Sequence, residues 1–203
     1  SNLKKITEKN KTVLIRFDLN VPLNSIDDYI SDRIIRIKKP ILNLLHENHK
    51  VIILSHLGRP KGETKDELSL QQVVPQLEKV LEKKINFLPD CIGNKIKEKI
   101  NSLEDGTVIL LENCRFYKEE EENDHDFAKQ LSELADVYIN DAFACSHRAH
   151  ASIEAISHFM PSYCGDLLEE EMINLQEVIH EPLSPALTII GGSKISTKIT
   201  VLK

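Results

Sequence analysis

The chain has 203 residues, 41% hydrophobic and 29% charged, as expected for a globular protein with one large domain, or one domain and part of another. No apolar stretch approaches the roughly 20 residues of a membrane span, and the first residues lack a secretory apolar segment, so we expect a cytoplasmic protein. The net charge of -6 argues against broad binding to nucleic acid or membranes, which favour basic surfaces.

Apolar runs rich in Val, Ile and Leu alternate with longer segments of helical pattern. The runs lie at residues 13–15, 51–54, 85–88, 108–111, 137–139 and 186–190. This alternation is typical of β-α-β units with strands buried on both faces. It predicts an α/β fold: a three-layer, doubly wound, mostly parallel sheet of the Rossmann-like kind.

The helical segments carry their own start and break signals. Ser31 or Asp32 can cap the first helix, inside which Pro40 predicts a kink or a short break. Ser69 begins a capping-box pattern before the second helix. The acidic run at residues 119–122 is interpreted as a solvated approach to another helix. The later helical patterns lie at residues 95–103, 124–134 and 166–179.

The pattern changes character at Gly165. A long helix, a turn with two prolines and one strand without later strands follow it. We therefore expect an α/β domain at residues 1–165, a connecting helix at 166–181, and at 182–203 the beginning of a second domain whose remainder is absent.

Polar and cationic residues follow four of the strands. They are Asp18 and Asn20, His56 and Arg59, Arg115, and Arg148. In an open parallel sheet, ligands bind outside the carboxyl ends of the strands, so these side chains are expected to converge. Because guanidinium groups pair with carboxylate and phosphate through two parallel hydrogen bonds, the pattern predicts a site for a small phosphorylated acid. Arg16 lies deeper in its strand, where we expect an internal ion pair.

Two other motifs are weaker signals. His147 and His150 are loosely spaced, with no cysteine or carboxylate at a familiar zinc spacing, so we predict no metal site there. Residues 191–194, GGSK, do not form a Walker A loop, yet a glycine pair after a strand lets a phosphate approach backbone N–H groups. Lys194 and Lys198 lie four residues apart, on one face of the helix predicted to begin there.

The four cysteines are dispersed along the chain, with no C-x-x-C pair. They are Cys91, Cys114, Cys145 and Cys164. A chain with an ample apolar core does not need disulfides, so we expect reduced thiols.

Five ordered motifs resemble those of the phosphoglycerate kinase family. They are RFDLNVP at 16–22, SHLGRP at 55–60, LENCRF at 111–116, NDAF followed by HRAHAS at 140–152, and GGSKISTKI at 191–199. The resemblance covers the whole chain, but the chain covers only about half of the family's two-domain length. The fold implied is that of the family's Rossmann-like N-terminal domain, followed by its interdomain helix.

The resemblance implies reversible phosphoryl transfer between 1,3-bisphosphoglycerate and ADP, giving 3-phosphoglycerate and ATP with Mg²⁺, in glycolysis and gluconeogenesis. The implied substrate site is Asp18, Asn20, Arg33, His56, Arg59, Arg115 and Arg148, with Leu19, Leu57 and Gly58 contributing backbone. Arg33 and Lys194 would act on the transferring group, and Gly192, Lys194 and Lys198 would contact nucleotide phosphates. The nucleotide and metal site would lie mostly in the absent half. The family also implies a monomer.

The chain departs from the family pattern at two places. Ala144, Cys145 and Ser146 replace the usual glycine-containing stretch, and the pattern around Cys164 and Glu170 is also altered. Because most of the second domain is absent, we expect weak binding of 3-phosphoglycerate and no kinase turnover by this chain alone. The alternatives are a nucleotide-binding module, disfavoured because no G-x-G-x-x-G follows the first strand, and a truncated, non-catalytic domain that binds an anion or a protein.

Overall fold

The computed structural model describes residue 6, residues 8–22, residues 30–180 and residue 187. The chain divides into two compact units, Ser1–Glu170 and Glu171–Lys203. This boundary lies inside the helix predicted to connect two domains. The predicted strand at 186–190 lies outside the described residues except for Leu187, and Gly192, Lys194 and Lys198 lie outside them altogether.

The described part of the first unit is built on one six-stranded sheet. The strands are β1 (Thr12–Arg16), β2 (Lys50–Leu54), β3 (Ile85–Leu88), β4 (Val108–Leu111), β5 (Val137–Asn140) and β6 (Ser162–Cys164). Their order is β3-β4-β2-β1-β5-β6, and every neighbouring pair is parallel. The predicted doubly wound α/β fold is confirmed. The short strand β6 was not predicted.

Helices connect the strands. They are α1 (Asp32–Arg36), α2 (Lys38–His46), α3 (Val74–Leu81), α4 (Asn94–Ser102), α5 (Lys118–Glu121), α6 (His125–Ser132) and α7 (Asp166–His180). Short 3₁₀ helices lie at Asp66–Leu68, Leu70–Val73, Cys114–Phe116, Phe143–Cys145 and Ala155–His158. No helix among the described residues is long and apolar enough to cross a bilayer.

Two apolar cores lie against the sheet, one on each face. Val13 and Ile15 belong to one core, whereas Leu14 between them belongs to the other, because successive strand side chains point to opposite faces. All five residues of β2 are buried. The sheet is therefore a middle layer covered on both faces, so a ligand is expected at the carboxyl ends of its strands.

The predicted break near Pro40 is confirmed, but it lies at Ile37, between α1 and α2. Proline lacks the N–H that would reach back four residues, so the ladder is interrupted one turn before the ring. Ser31 is the N-terminal cap of α1, yet its side chain makes no capping hydrogen bond. Its carbonyl oxygen instead accepts from Ile34 and Ile35.

Other caps follow the sequence more closely. Ser69 Oγ accepts a hydrogen bond from the N–H of Gln71 at 3.2 Å, although the first turn is 3₁₀ and α3 begins only at Val74. Asp124 caps α6 through the N–H of Phe127 at 2.7 Å. The interpretation of the preceding acidic run as solvated is wrong at Glu120, whose side chain is fully buried.

Candidate active site

Four neighbouring strands bring the predicted residues to one edge of the sheet. In the order β4-β2-β1-β5, the residues that follow these strands include Arg115, His56, Asp18 and the loop that carries Arg148. We call Asp18, Asn20, Arg33, His56, Arg59, Arg115 and Arg148 the anion site. The strand β1 lies between β2 and β5, so the chain reverses its winding direction here, as at the ligand crevice of doubly wound folds.

Arg33, from α1, joins the loop that follows β1. Its Nη1 donates to Asp18 Oδ2 at 2.7 Å and to the carbonyl oxygen of Asn20 at 3.1 Å. Asp18 Oδ1 also accepts from the N–H of Asn20 at 3.0 Å. The Arg33 guanidinium is therefore held to the described residues through one nitrogen, and the side chain is 48% exposed to solvent.

The loop after β2 is tied to the loops on both sides of it. Asn20 Oδ1 accepts from the N–H of Gly58 at 2.8 Å, and the Gly58 carbonyl oxygen accepts from Arg115 Nη1 at 3.1 Å. Gly58 has φ +64, and a Cβ there would lie 2.7 Å from Leu68 Cδ2, so only glycine fits without strain. The backbone of Gly58 therefore links Asn20 to Arg115.

Arg115 is almost fully buried and is fixed by its neighbour Asn113. Asn113 Oδ1 accepts from the N–H of Arg115 at 3.1 Å, and Asn113 Nδ2 donates to the Leu57 carbonyl oxygen at 2.8 Å. The nearest described carboxylate, Glu121, lies 3.6 Å from Arg115 Nε, too far for a hydrogen bond. The guanidinium is therefore not neutralised by a tight ion pair within the described structure.

The other predicted positions divide into exposed and buried ones. Arg59 is exposed and makes no hydrogen bond or ion pair with the described chain, and it enters the site only as the neighbour of Gly58. Leu19 and Leu57 are buried, and the N–H of Leu19 donates to Ser55 Oγ at 2.9 Å. That N–H is engaged within the protein.

Arg148 lies in the loop after β5. Asn140 organises the start of this loop, because its Oδ1 accepts from the N–H of Ala142 at 3.1 Å. A short 3₁₀ helix at Phe143–Cys145 then carries the chain to Arg148, which is half-buried and donates from Nε to His147 Nε2 at 3.2 Å. The ring of His147 thus accepts a hydrogen bond from the Arg148 guanidinium.

Positive charge accumulates around His56. Burial, followed by Arg16, Arg115, His150 and Arg148, lowers the pKa of His56 to about 2. The imidazole is therefore neutral throughout the physiological range. Two of these cations, Arg115 and Arg148, come from the loops after β4 and β5.

Among the described residues, one cluster has the atoms of a metal site. Asp18, His56 and Cys145 each offer a donor atom, and these atoms lie within 4.8 Å of one another. Arg16 Nη2, however, lies 3.0 Å from His56 Nδ1, so a cation would meet a buried guanidinium. Mg²⁺ also requires oxygen ligands, of which this cluster has one carboxylate. The cluster does not fit Mg²⁺.

The buried network that supports the site was predicted only in part. Arg16, expected to form an internal ion pair, is fully buried and donates from Nε to Ser152 Oγ at 3.0 Å. Ser152 Oγ in turn donates to Glu120 Oε1 at 2.6 Å. The carboxylate therefore reaches Arg16 through a hydroxyl group. The sequence offered one signal, because a charged residue inside an apolar strand needs a buried partner.

A second buried carboxylate lies at the far side of β5. Asp141 Oδ1 accepts from the N–H of Leu168 at 2.8 Å, at the beginning of α7, while its Oδ2 has no hydrogen-bond partner in the described structure. Burial raises the pKa of Asp141 to about 6. A Cβ at Gly165 would lie 2.3 Å from Asp141 Cγ, so glycine permits this close approach.

All four cysteines are free thiols, as expected. Cys91, Cys114 and Cys145 are buried, and Cys164 is partly buried. Burial raises the pKa of the Cys145 thiol, so it remains protonated beside His56. Its sulfur lies 4.0 Å from His56 Nδ1 and fills space at the floor of the site.

Comparison with known proteins identifies the same family throughout. The family model described as phosphoglycerate kinase matches residues 3–203. A phosphoglycerate kinase from Wolbachia pipientis subsp. Culex pipiens is 50% identical over 193 residues, which cover 95% of this chain and 48% of that protein. One from Synechococcus sp. is 48% identical over 195 residues, covering 95% of this chain and 48% of that protein.

Solved structures give the same result. Phosphoglycerate kinase from Pyrococcus horikoshii OT3 superposes with a TM-score of 0.85 at 31% identity, covering 97% of this chain and 50% of that one. The enzyme from Coxiella burnetii superposes with a TM-score of 0.80 at 38% identity, with 97% and 49% covered. The chain spans about half the length of the curated relatives it matches.

Proposed function

Since this chain belongs to the phosphoglycerate kinase family, we propose that its anion site binds 3-phosphoglycerate. With a nucleotide-binding half of the family's usual length, the site would serve reversible phosphoryl transfer between 1,3-bisphosphoglycerate and ADP. The observation that carries the proposal is the placement of cationic groups at the edge of the sheet where His56 lies. Arg16 Nη2 is 3.0 Å from His56 Nδ1, and Arg115 and Arg148, which follow β4 and β5, also lower the pKa of this histidine.

The positive charge of the site suits a small acid with a phosphate at one end. Each charge-assisted hydrogen bond contributes about 1.5–3 kcal/mol net. Micromolar affinity corresponds to about 8 kcal/mol. Because association also costs at least about 4 kcal/mol, the site must form about four to eight such bonds, which the paired donors of several guanidinium groups can supply. Asp18 and Asn20 add acceptors for a substrate hydroxyl group, since both lie beside the guanidinium of Arg33.

Arg33 is the residue that we assign to the transferring phosphoryl group. Phosphoryl transfer asks the protein for alignment and for positive charge near the equatorial oxygens. Both contacts of Arg33 with described residues use Nη1, so we assign Nη2 to the phosphoryl oxygens. The pairing with Asp18 orients the Arg33 guanidinium before the substrate binds, which lowers the entropy cost of ordering this side chain on binding.

The nucleotide side of the reaction remains a family-based proposal. Gly192, Lys194 and Lys198 are assigned to nucleotide phosphates, and Mg²⁺ would enter with the nucleotide. The described residues offer Mg²⁺ no suitable ligand set, so we derive no step through it. ATP and ADP are accordingly proposed as ligands of a full-length protein.

Calorimetric titration of the 203-residue chain with 3-phosphoglycerate and, separately, with ATP tests the proposal. We expect saturable binding of 3-phosphoglycerate and none of ATP at the same concentrations. Arg33→Ala should weaken binding at least tenfold, the change that corresponds to 1.4 kcal/mol. Arg36→Ala, three residues further in the same helix, is the matched control and should leave affinity within twofold, because Arg36 pairs with Glu170 instead.

The same titration separates the alternatives. A nucleotide-binding module would prefer ATP, and a non-catalytic protein-binding domain would bind neither ligand. Equal affinity of the Arg33→Ala and Arg36→Ala variants would contradict the assignment of Arg33.

A further inference from the structure

A buried chain of hydrogen bonds runs beneath the anion site, from Glu120 through Ser152 and Arg16 to His56. We infer that Glu120 and Ser152 are positioning residues, which hold Arg16 so that it fixes His56 as the tautomer with its proton on Nε2. The inference rests on the proposed function, because it explains how the histidine of that site can donate to an anion. It assigns a role to two residues that do not touch the substrate.

The chemistry of the groups dictates the direction of every bond in the chain. A guanidinium group has donors and no acceptor. Arg16 Nε must therefore donate to Ser152 Oγ, at 3.0 Å, and the hydroxyl must accept. The single proton of Ser152 then has one described destination, Glu120 Oε1 at 2.6 Å. Glu120 Oε2 accepts from the N–H of Ser152 at 2.9 Å, so both carboxylate oxygens point at the same residue.

The other end of the guanidinium determines the histidine tautomer. Arg16 Nη2 lies 3.0 Å from His56 Nδ1. Because Arg16 can only donate, Nδ1 must accept, and an imidazole nitrogen that accepts carries no proton. The proton of the neutral ring is therefore on Nε2. No described residue accepts a hydrogen bond from that N–H, so it remains available for a bound anion.

Burial makes the arrangement costly to disturb. Arg16, Glu120 and Ser152 are all 0% exposed, and His56 is 4% exposed. A buried charge without its partner is strongly destabilising, and an unpaired guanidinium would relax toward other acceptors. Further bonds from Arg16 Nη1 to the carbonyl oxygen of Phe17 and to Ser55 Oγ anchor the third nitrogen. All three nitrogens are thus engaged, with the ring of His56 at one end.

The hydrogen-bond network joins residues that are far apart in the sequence, as a positioning role requires. Arg16 ends β1, which pairs with β2 before His56 and with β5 before the Arg148 loop. Ser152 lies 136 residues from Arg16, and Glu120 comes from the short helix α5 after β4. One buried network therefore coordinates the loops of all four strands that form the anion site.

The inference is tested first on the unsubstituted chain. Two-bond ¹⁵N–¹H correlation spectra of the histidine side chains identify which ring nitrogen carries the proton. We expect His56 to show a protonated Nε2 and a bare Nδ1 at every pH from 5 to 8, with the residue assigned by comparison with His56→Gln. A protonated Nδ1, a mixture of tautomers, or titration of the ring in this range would overturn the inference.

Substitution then tests the roles of Glu120 and Ser152. Ser152→Ala and Glu120→Gln should each release His56 into a mixture of tautomers and weaken 3-phosphoglycerate binding about tenfold, corresponding to the net value of roughly one hydrogen bond. Ser152→Thr, which retains the hydroxyl group, should retain the Nε2 tautomer. Ser157→Ala is the control, since Ser157 is exposed and donates to the Glu154 carbonyl oxygen at 2.7 Å.

The readouts separate this inference from the proposed function. Absence of 3-phosphoglycerate binding to the unsubstituted chain would refute the proposed function whatever the tautomer. Normal binding with an unchanged His56 spectrum in folded Ser152→Ala and Glu120→Gln would refute the positioning role alone. A merely structural role would lower the unfolding midpoint of these variants without changing the tautomer, and it would therefore count against the inference.

Discussion

Replacing His56 by glutamine should flatten the dependence of the unfolding free energy on pH. The pKa of His56 is lowered to about 2, chiefly by burial and then by neighbouring cations, against about 6.5 in an unfolded chain. Between these values the unfolded state binds a proton that the folded state does not. The contribution of His56 to the unfolding free energy is therefore fully present above pH 6.5 and is lost as the pH falls below that value.

The size of the effect follows from that difference. Between pH 7 and pH 5 the unfolded histidine becomes almost fully protonated while the folded one stays neutral. Each pH unit below the unfolded pKa then costs about 1.4 kcal/mol, so about 2 kcal/mol is lost by pH 5. This figure is insensitive to the folded-state pKa, provided that it lies well below 5.

Urea unfolding followed by circular dichroism at pH 5, 6 and 7 measures the effect. The wild-type chain should lose about 2 kcal/mol more than His56→Gln between pH 7 and pH 5. His46→Gln is the control, because the His46 side chain is 88% exposed, and it should follow the wild type. If the unfolding free energies of the wild type and His56→Gln change equally with pH, the reasoning is refuted, whatever the constant difference between them.

Three further predictions concern other parts of the molecule. Gly165→Ala places a methyl group 2.3 Å from Asp141 Cγ and should cost about 1–3 kcal/mol of unfolding free energy, with a smaller cost in an Asp141→Ala background. Burial raises the pKa of Asp141 to about 6, so ionisation of this carboxyl group lowers the unfolding free energy by about 1 kcal/mol as the pH rises from 5 to 7. Asp141→Asn should abolish this contribution, and the same pH dependence of the unfolding free energy in both proteins, measured by urea unfolding, would contradict the prediction. The purified 203-residue chain should give no phosphoryl transfer in a coupled assay free of host enzyme, and measurable turnover would contradict the proposal that the nucleotide site lies mostly in the part of the family's length that these 203 residues do not span.

Local patterns were sufficient to predict most of the fold. Short apolar runs rich in Val, Ile and Leu, such as those at β2 and β4, are typical of strands buried on both faces, and their alternation with helical segments predicted the parallel sheet. The strand β6 was missed because it has three residues, exposed or half-buried, with no apolar run. It exists through its pairing with β5, which is a long-range contact that sequence periodicity does not record.

The candidate site was predicted in part for the same reason. Arg115 and Arg148 could be placed because they follow strands, and strand ends share an edge. Glu120 could not be placed, because a run of four glutamates resembles a solvated surface until Ser152, 32 residues further along, supplies two donors. Buried polar networks depend on partners remote in sequence, and spacing alone does not identify them.

The buried guanidinium of Arg16 has a consequence for how the chain folds. A slip of one residue in the alignment of β1 against its neighbours would turn every side chain of the strand over. Arg16 would then enter the opposite apolar layer, away from Ser152 and the acceptors near Phe17, as a bare charge in a hydrocarbon environment. The buried charge of Arg16 thus favours the native register of the central strand, because misaligned folding intermediates would have to bury it without acceptors.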